Sequence, residues 1–299
     1  MKPESFDGLL VVDKPAGMTS RDAVDRAARW FPKRTRIGHT GTLDPLATGV
    51  LVLCVGVATR LSEYVQRMAK TYDAGLLLGV RSDTDDADGT VQSVAVTMPP
   101  SGSQIAAALR SFIGAVPQVP PAYSAAKLTG RRAYALARRG EEVVLQPREV
   151  EIYRVEINNY EYPRLRIEVH CGKGTYIRSL ARDLGSLLGC GAMIETLRRT
   201  RVGKFDVSMA IDLDADAAEA HRRLLPLAAA VADLPAIALP PEALAQIRQG
   251  KAVLSSAFVS EESREVAVFD LGGHLAAIAQ TRKEGMLQPL KVLSVARKD

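Results

Sequence analysis

An α+β fold is predicted for this 299-residue sequence, and three observations predict it. Helix-like and strand-like segments follow one another without a regular β-α-β-α rhythm, which disfavours a doubly wound sheet. Leu165, Ile167, Val169 and Cys171 alternate with Arg166, Glu168 and His170, the period of a half-buried antiparallel strand. Beyond Asp233-Leu234-Pro235, Glu265 to Phe269 and Leu275 to Ala279 flank a Gly272-Gly273 turn, which marks a separate small β domain.

The elements can be justified in chain order. Gly8 to Asp13 reads as a short buried strand ending in the Lys14-Pro15-Ala16-Gly17 turn. Ser20 is placed to cap a helix whose apolar stripe is Ala23, Val24, Ala27, Ala28 and Phe31, with Pro32 stopping it. After a glycine-rich loop comes the apolar run Val50 to Val57. Leu61, Tyr64, Val65 and Met68 then have helical spacing, and Tyr72 to Val80 reads as a strand. Ser103 begins a helix with Ile105, Ala108, Leu109 and Phe112 on one face and Gly114 at its end. Pro117 to Lys127 reads as an extended, proline-rich loop leading into a short Arg-rich helix closed by Gly140. Two strands follow, then a helix with Ile177, Leu180, Ala181, Leu184 and Leu188 on one side, and an alanine-rich helical stretch before Asp233.

Composition narrows the class. With 47% hydrophobic and 24% charged residues, the chain is ordinary for a soluble globular protein and has no signature of disorder. The longest apolar run is far short of the ~20 residues that cross a bilayer, and the N-terminus has no apolar leader segment. Cys54, Cys171 and Cys190 form no CxxC pair, so reduced thiols and a cytoplasmic location are expected. Lys and Arg number 39 against 34 Asp and Glu, a net charge of +5, which allows a polyanionic partner without establishing one. The excess concentrates in Lys127 to Arg148 and in Arg198-Arg199-Thr200-Arg201-Val202-Gly203-Lys204. That second run suits phosphate contacts or, equally, a solvated basic face.

Several nucleotide and metal motifs fail on inspection. Gly172-Lys173-Gly174-Thr175 has Ile167 where a P-loop needs its first glycine. Aligning Gly89 with the glycine of a calcium loop puts Thr84 at the first ligand position and Ala95 where a bidentate Glu belongs. His39, His170, His221 and His274 have no metal-ligand spacing, so no metal site is expected.

The informative loop is Gly38-His39-Thr40-Gly41-Thr42-Leu43-Asp44-Pro45-Leu46-Ala47-Thr48-Gly49. Pro45 biases Asp44 away from helical geometry. The carboxylate is then either presented to a cleft or bonded to its own turn, and pattern alone leaves both open. Tyr72 is open in the same way, as core aromatic, stacking platform or acid/base. Arg178 sits in the first turn of its helix, where the dipole disfavours a cation, so a buried anionic partner is indicated.

Together with Asp13-Lys14-Pro15-Ala16-Gly17-Met18-Thr19-Ser20, Lys70-Thr71-Tyr72, Thr84 to Gly89, Gln118 to Lys127, Gly172 to Leu180 and Leu197 to Thr200, this loop resembles the bacterial tRNA pseudouridine-55 synthases, the TruB family. The pieces recur in family order over about two-thirds of the chain. The resemblance implies a pseudouridine synthase core with a mixed, largely antiparallel sheet over 1–234, an RNA-clamping insertion at about 115–150, and a PUA-like RNA-binding domain over 235–299.

It also implies roles. Asp44 is the essential aspartate, Tyr72 stacks on the flipped uracil and helps remove a proton, Arg178 pairs with Asp44, and Leu197 walls the pocket. His39 fills the space left by the extruded nucleotide, while Lys14 and Pro15 support the pocket. Lys127, Arg198 and Arg199 meet RNA. The reaction is an isomerisation, so no cofactor is expected. The partner is the tRNA T-arm, with no membrane, no metal and no guide RNA, and a monomer is expected. The alternatives are a guide-dependent synthase, against which the insertion argues, and a non-catalytic RNA-binding or remodelling protein.

Overall fold

A computed structural model describes residues 6–124, 127–128, 131–132, 139, 144–255 and 263–293. Among them, ten strands build one sheet. Its path runs Ile211–Asp212, Gly8–Lys14, Thr48–Val55, Ala192–Val202, Lys70–Leu78, Arg164–Cys171, Arg148–Glu161, Gly114–Gln118. Ile37–His39 joins Thr48–Val55, and Phe205–Asp206 joins Ala192–Val202. Only two pairings are parallel, Gly8–Lys14 with Ile211–Asp212 and Thr48–Val55 with Ala192–Val202. The sheet is therefore mixed and largely antiparallel, in an α+β protein.

The apolar run that begins at Val50 does not alternate because both faces of its strand are covered. Leu51, Leu53 and Val55 pack with residues of the helices Ser20–Ala27, Gly102–Arg110 and Ile177–Leu187. Val50, Val52 and Cys54 pack on the other face with Leu61, Tyr64 and Val65. Burying each such Val or Leu contributes about 1.5–3 kcal/mol. The Arg164–Cys171 strand lies nearer the edge and keeps the expected alternation, with Leu165, Ile167, Val169 and Cys171 buried.

Two helix starts differ from expectation. Thr19 rather than Ser20 caps the first helix, through a capping box with Asp22. Ser20 is instead buried, and its hydroxyl accepts from the Leu43 N–H at 2.8 Å and donates to the Leu43 carbonyl at 3.0 Å. Ser101 rather than Ser103 caps the Gly102–Arg110 helix, reciprocally with Gln104. Part of the expected Pro117 loop is strand, because Gly114–Gln118 pairs antiparallel with Arg148–Glu161. Of the Arg-rich helix expected before Gly140, Arg131–Arg132 form a short strand instead, and most of the remainder lies outside the described residues.

A second, five-stranded sheet has the order Ala236–Ala238, Glu265–Phe269, Leu275–Thr281, Met286–Val292, Val253–Leu254. Leu244 and Ile247 of the Pro241–Arg248 helix fill one face. Ala267, Leu275 and Ile278 pack into the cluster on the far side of the large sheet. Ion pairs border this contact, Arg67 to Glu265 at 2.6 Å and Lys291 to Glu63.

Candidate active site

The Gly38 to Gly49 loop is held from three directions. Ser20 pins Leu43 as described. Lys14, fully buried, donates from Nζ to the carbonyls of Pro15 and Met18 at 2.8 Å and of Pro45 at 3.4 Å. Arg199 donates to the Gly41 carbonyl at 3.0 Å and the Val50 carbonyl at 2.7 Å. Gly49 ends the loop with φ +98°, and a Cβ there would lie 2.2 Å from the Arg199 carbonyl oxygen. Only glycine lets the loop run against the Ala192–Val202 strand in this way.

So held, Asp44 points at Arg178. Its Oδ2 is 2.9 Å from Arg178 Nη2, and a third of the side chain still faces the cleft. Arg178, from the first turn of the Ile177–Leu187 helix, is 4% exposed. Its Nη1 also reaches Asp86 at 3.1 Å and donates to the Thr84 carbonyl at 2.8 Å, while Nη2 donates to the Tyr123 carbonyl at 2.9 Å. The anionic partner indicated by the helix position is therefore a pair of carboxylates.

Asp86 is the residue that sequence reasoning missed. The calcium-loop pattern and the family resemblance both cover its segment, and neither gives Asp86 a task. It is 3% exposed and accepts from Thr84 Oγ1 and from the Asp88 N–H. An unpaired charge at such depth is strongly unfavourable, which itself demanded a buried cation nearby.

Burial raises the Asp44 carboxyl above its ordinary value; Arg178 opposes this, Asp86 adds to it, and Lys14 opposes it weakly. Burial likewise brings the Lys14 ammonium down to about 8, with Asp44 resisting. Tyr72, on the Lys70–Leu78 strand opposite Arg199, lines the same cleft. Burial raises its phenol and Arg199 opposes this. At neutral pH it therefore offers a ring face and an O–H rather than a phenolate base.

The cleft, about 430 Å³, is also lined by His39, Leu197, Gly174 and Thr175. Asp44, Tyr72, Arg178, His39, Leu197 and Arg199 thus come together. The expected phosphate face of arginines divides instead. Arg199 is 2% exposed and spends its donors on the loop backbone, so it keys the pocket rather than offering itself to solvent. Arg198, its neighbour on a strand, points to the opposite face and grips Asp13 with two bonds of 3.0 and 2.6 Å. Lys127 lies in a two-residue strand with Leu128, paired with Arg131–Arg132, and its side chain falls outside the description.

Residues 29–177 match the family model of the TruB family pseudouridylate synthase N-terminal domain, and 178–232 that of the tRNA pseudouridylate synthase B C-terminal domain. A Xanthomonas campestris pv. campestris (strain B100) protein named tRNA pseudouridine synthase B is 44% identical, over 96% of this chain and 94% of its own. The chain belongs to the TruB family. A Dehalococcoides mccartyi relative of the same name is 40% identical over 96% of each chain.

A solved structure described as a Cbf5-Nop10-Gar1 complex aligns with TM-score 0.75 at 24% identity, over 96% of this chain and 85% of that one. Another, an H/ACA RNP bound to a substrate RNA containing 2'-deoxyuridine, gives TM-score 0.72 at 23% identity. Both share the fold. As a TruB family member, the chain is a pseudouridine synthase, an isomerase. The two matched models stop at 232, just before the five-stranded sheet begins at Ala236.

Proposed function

We propose that this chain isomerises uridine 55 in the T-arm of tRNA to pseudouridine, as a monomer, in the cytoplasm and without a guide RNA. The observation that carries the reading is Asp44, presented to a cleft by a buried arginine beside an aromatic ring. Its relatives carry the name tRNA pseudouridine synthase B. In a structured RNA loop the target base is stacked, so it must leave the stack to enter such a cleft. Tyr72 then stacks on the extruded uracil, Leu197 walls its edge, and His39 occupies the vacated space.

The Asp44 carboxylate either attacks C1′ or removes a ribose proton to give a glycal; in each case the C1′–N1 bond breaks. The uracil turns within the cleft and C1′ joins C5 as the Asp44 carboxylate leaves C1′ or the ribose proton returns; the C5 proton is lost and N1 gains one. Product and substrate are isomers. Arg178 opposes the rise that burial gives the Asp44 carboxyl and so favours the carboxylate. Residues 1–234 form the catalytic unit, and 235–299 a PUA-like unit that extends the RNA-binding surface. The Lys127 to Arg148 segment grips the T-arm, with Arg198 at its flank.

The test uses unmodified tRNA tritiated at uracil C5, with no other RNA or protein present. Wild type is expected to release tritium from a single T-arm uridine. Asp44→Asn is expected to lose at least about 10³-fold in turnover while keeping tRNA affinity within a few-fold. No release by folded wild type would sink the stand-alone reading, and equal release by Asp44→Asn would remove the aspartate from the chemistry.

A further inference from the structure

The helix that carries Arg178 begins without a capping side chain of its own. Tyr176 stands at its N-cap with extended backbone, φ −103° and ψ 113°. Tyr176 is held instead by a side chain from the sheet edge. Gln118, the last residue of the edge strand Gly114–Gln118, is 4% exposed. Its Oε1 accepts from the Tyr176 N–H at 2.8 Å, and its Nε2 donates to the Tyr176 carbonyl at 3.1 Å. One amide thus closes a two-bond ring on a single backbone residue, two positions before the guanidinium that holds Asp44.

We propose that Gln118 is a positioning residue for the isomerisation, fixing through Tyr176 the first turn of the Ile177–Leu187 helix and hence the aim of Arg178 at Asp44. The inference rests on the isomerase reading above. Only glutamine has both the reach and the paired donor and acceptor that this ring needs. The adjoining chain is tied to the same helix, since Ser179 Oγ and Arg182 Nη2 both donate to the Val119 carbonyl at 2.8 Å. Those bonds hold the segment, whereas the Gln118 ring holds the helix start. The Arg178 bond to the Tyr123 carbonyl closes the circuit from the other end.

Losing the ring lets the helix start shift and lengthens the Arg178–Asp44 contact. A displacement near 1 Å in a catalytic constellation can lower the rate about 10²-fold. It also changes the field at Asp44, which faces Arg178 from the helix, Asp86 from the 83–89 turn, Lys14 from the first strand and Tyr72 from the central strand. Weakening the Arg178 contact leaves burial and Asp86 less opposed, so the carboxyl titrates at higher pH.

The test is single-turnover pseudouridine formation on unmodified tRNA, from acid to alkaline pH, with tRNA affinity measured by filter binding. Gln118→Met keeps the volume and removes both bonds. Its rate is expected to fall tenfold or more with affinity within twofold, and its acid limb to move to higher pH. Ser179→Ala, which severs one neighbouring tie, is expected to leave the limb in place. A rate loss with an unmoved acid limb means fewer folded molecules and overturns the positioning role, as does an unchanged rate. If Gln118→Met yields no folded protein, the same two readouts on Gln118→Asn, which adds no charge but falls short of Tyr176, decide the matter. An inactive wild type would instead strike the isomerase reading itself.

Discussion

In the cleft, the Arg178 and Asp86 side chains are 5% and 4% exposed, whereas Arg67 and Glu265, at the contact between the two sheets, are 50% and 27% exposed. Both are arginine–carboxylate pairs of ordinary length, 3.1 and 2.6 Å. What differs is the medium around them. Water and salt screen the outer pair, so either partner can be lost at small cost. In the cleft there is no such relief, and removing one partner strands the other. The molecule uses one pairing as a peripheral fastener and the other to anchor the guanidinium that faces Asp44 in the cleft.

Truncating one partner in each region should separate them most. Asp86→Ala is expected to destabilise the fold by about 3–5 kcal/mol, read from urea unfolding, and to lower turnover. A loss below about 1 kcal/mol would make the two regions alike.

The pH profile gives the next largest difference. In the proposed chemistry Asp44 acts as a carboxylate, and its carboxyl is raised by burial. Activity should therefore fall with decreasing pH through a value above the ordinary aspartate range of about 3.9. Asp86→Asn removes a like charge that adds to the rise, so the acid limb of kcat/KM should move to lower pH. Movement upward would show that Asp86 acts chiefly by orienting Arg178.

The smallest effect belongs to the sheet contact. Glu265→Gln should change stability by less than about 1 kcal/mol, vanish in high salt, and leave turnover unchanged. A large loss of turnover would mean that the outer pair steers the cleft.

How far this was legible from residues alone depended on whether a residue's neighbours are near in sequence. Leu165 to Cys171 announced a strand because its environment alternates with the chain. Asp44 stood out because Pro45 and the surrounding glycines constrain it locally. Ser20 departs from its expected capping role because its partner, Leu43, is near in space but 23 residues away in sequence. The 198–201 run looked like a solvent-facing basic patch, since charge carries no direction. Only strand pairing shows that Arg199 turns inward and Arg198 outward. Asp86 and Gln118 had no local signature; their meaning comes from Arg178 and Tyr176, which the fold alone brings near.

The parallel junction of Thr48–Val55 with Ala192–Val202 has a consequence for biosynthesis. The first strand emerges from the ribosome early, and the second well over a hundred residues later, on the order of ten seconds at typical elongation rates. Asp44 waits for Arg178 over much the same interval. Until then a strand apolar on both faces is without one of its neighbours, so the nascent chain passes through an aggregation-prone stage. Catalytic competence is thus gained late in translation, and a chain truncated before Ala192 would keep the aspartate yet lack the wall against which its loop is built.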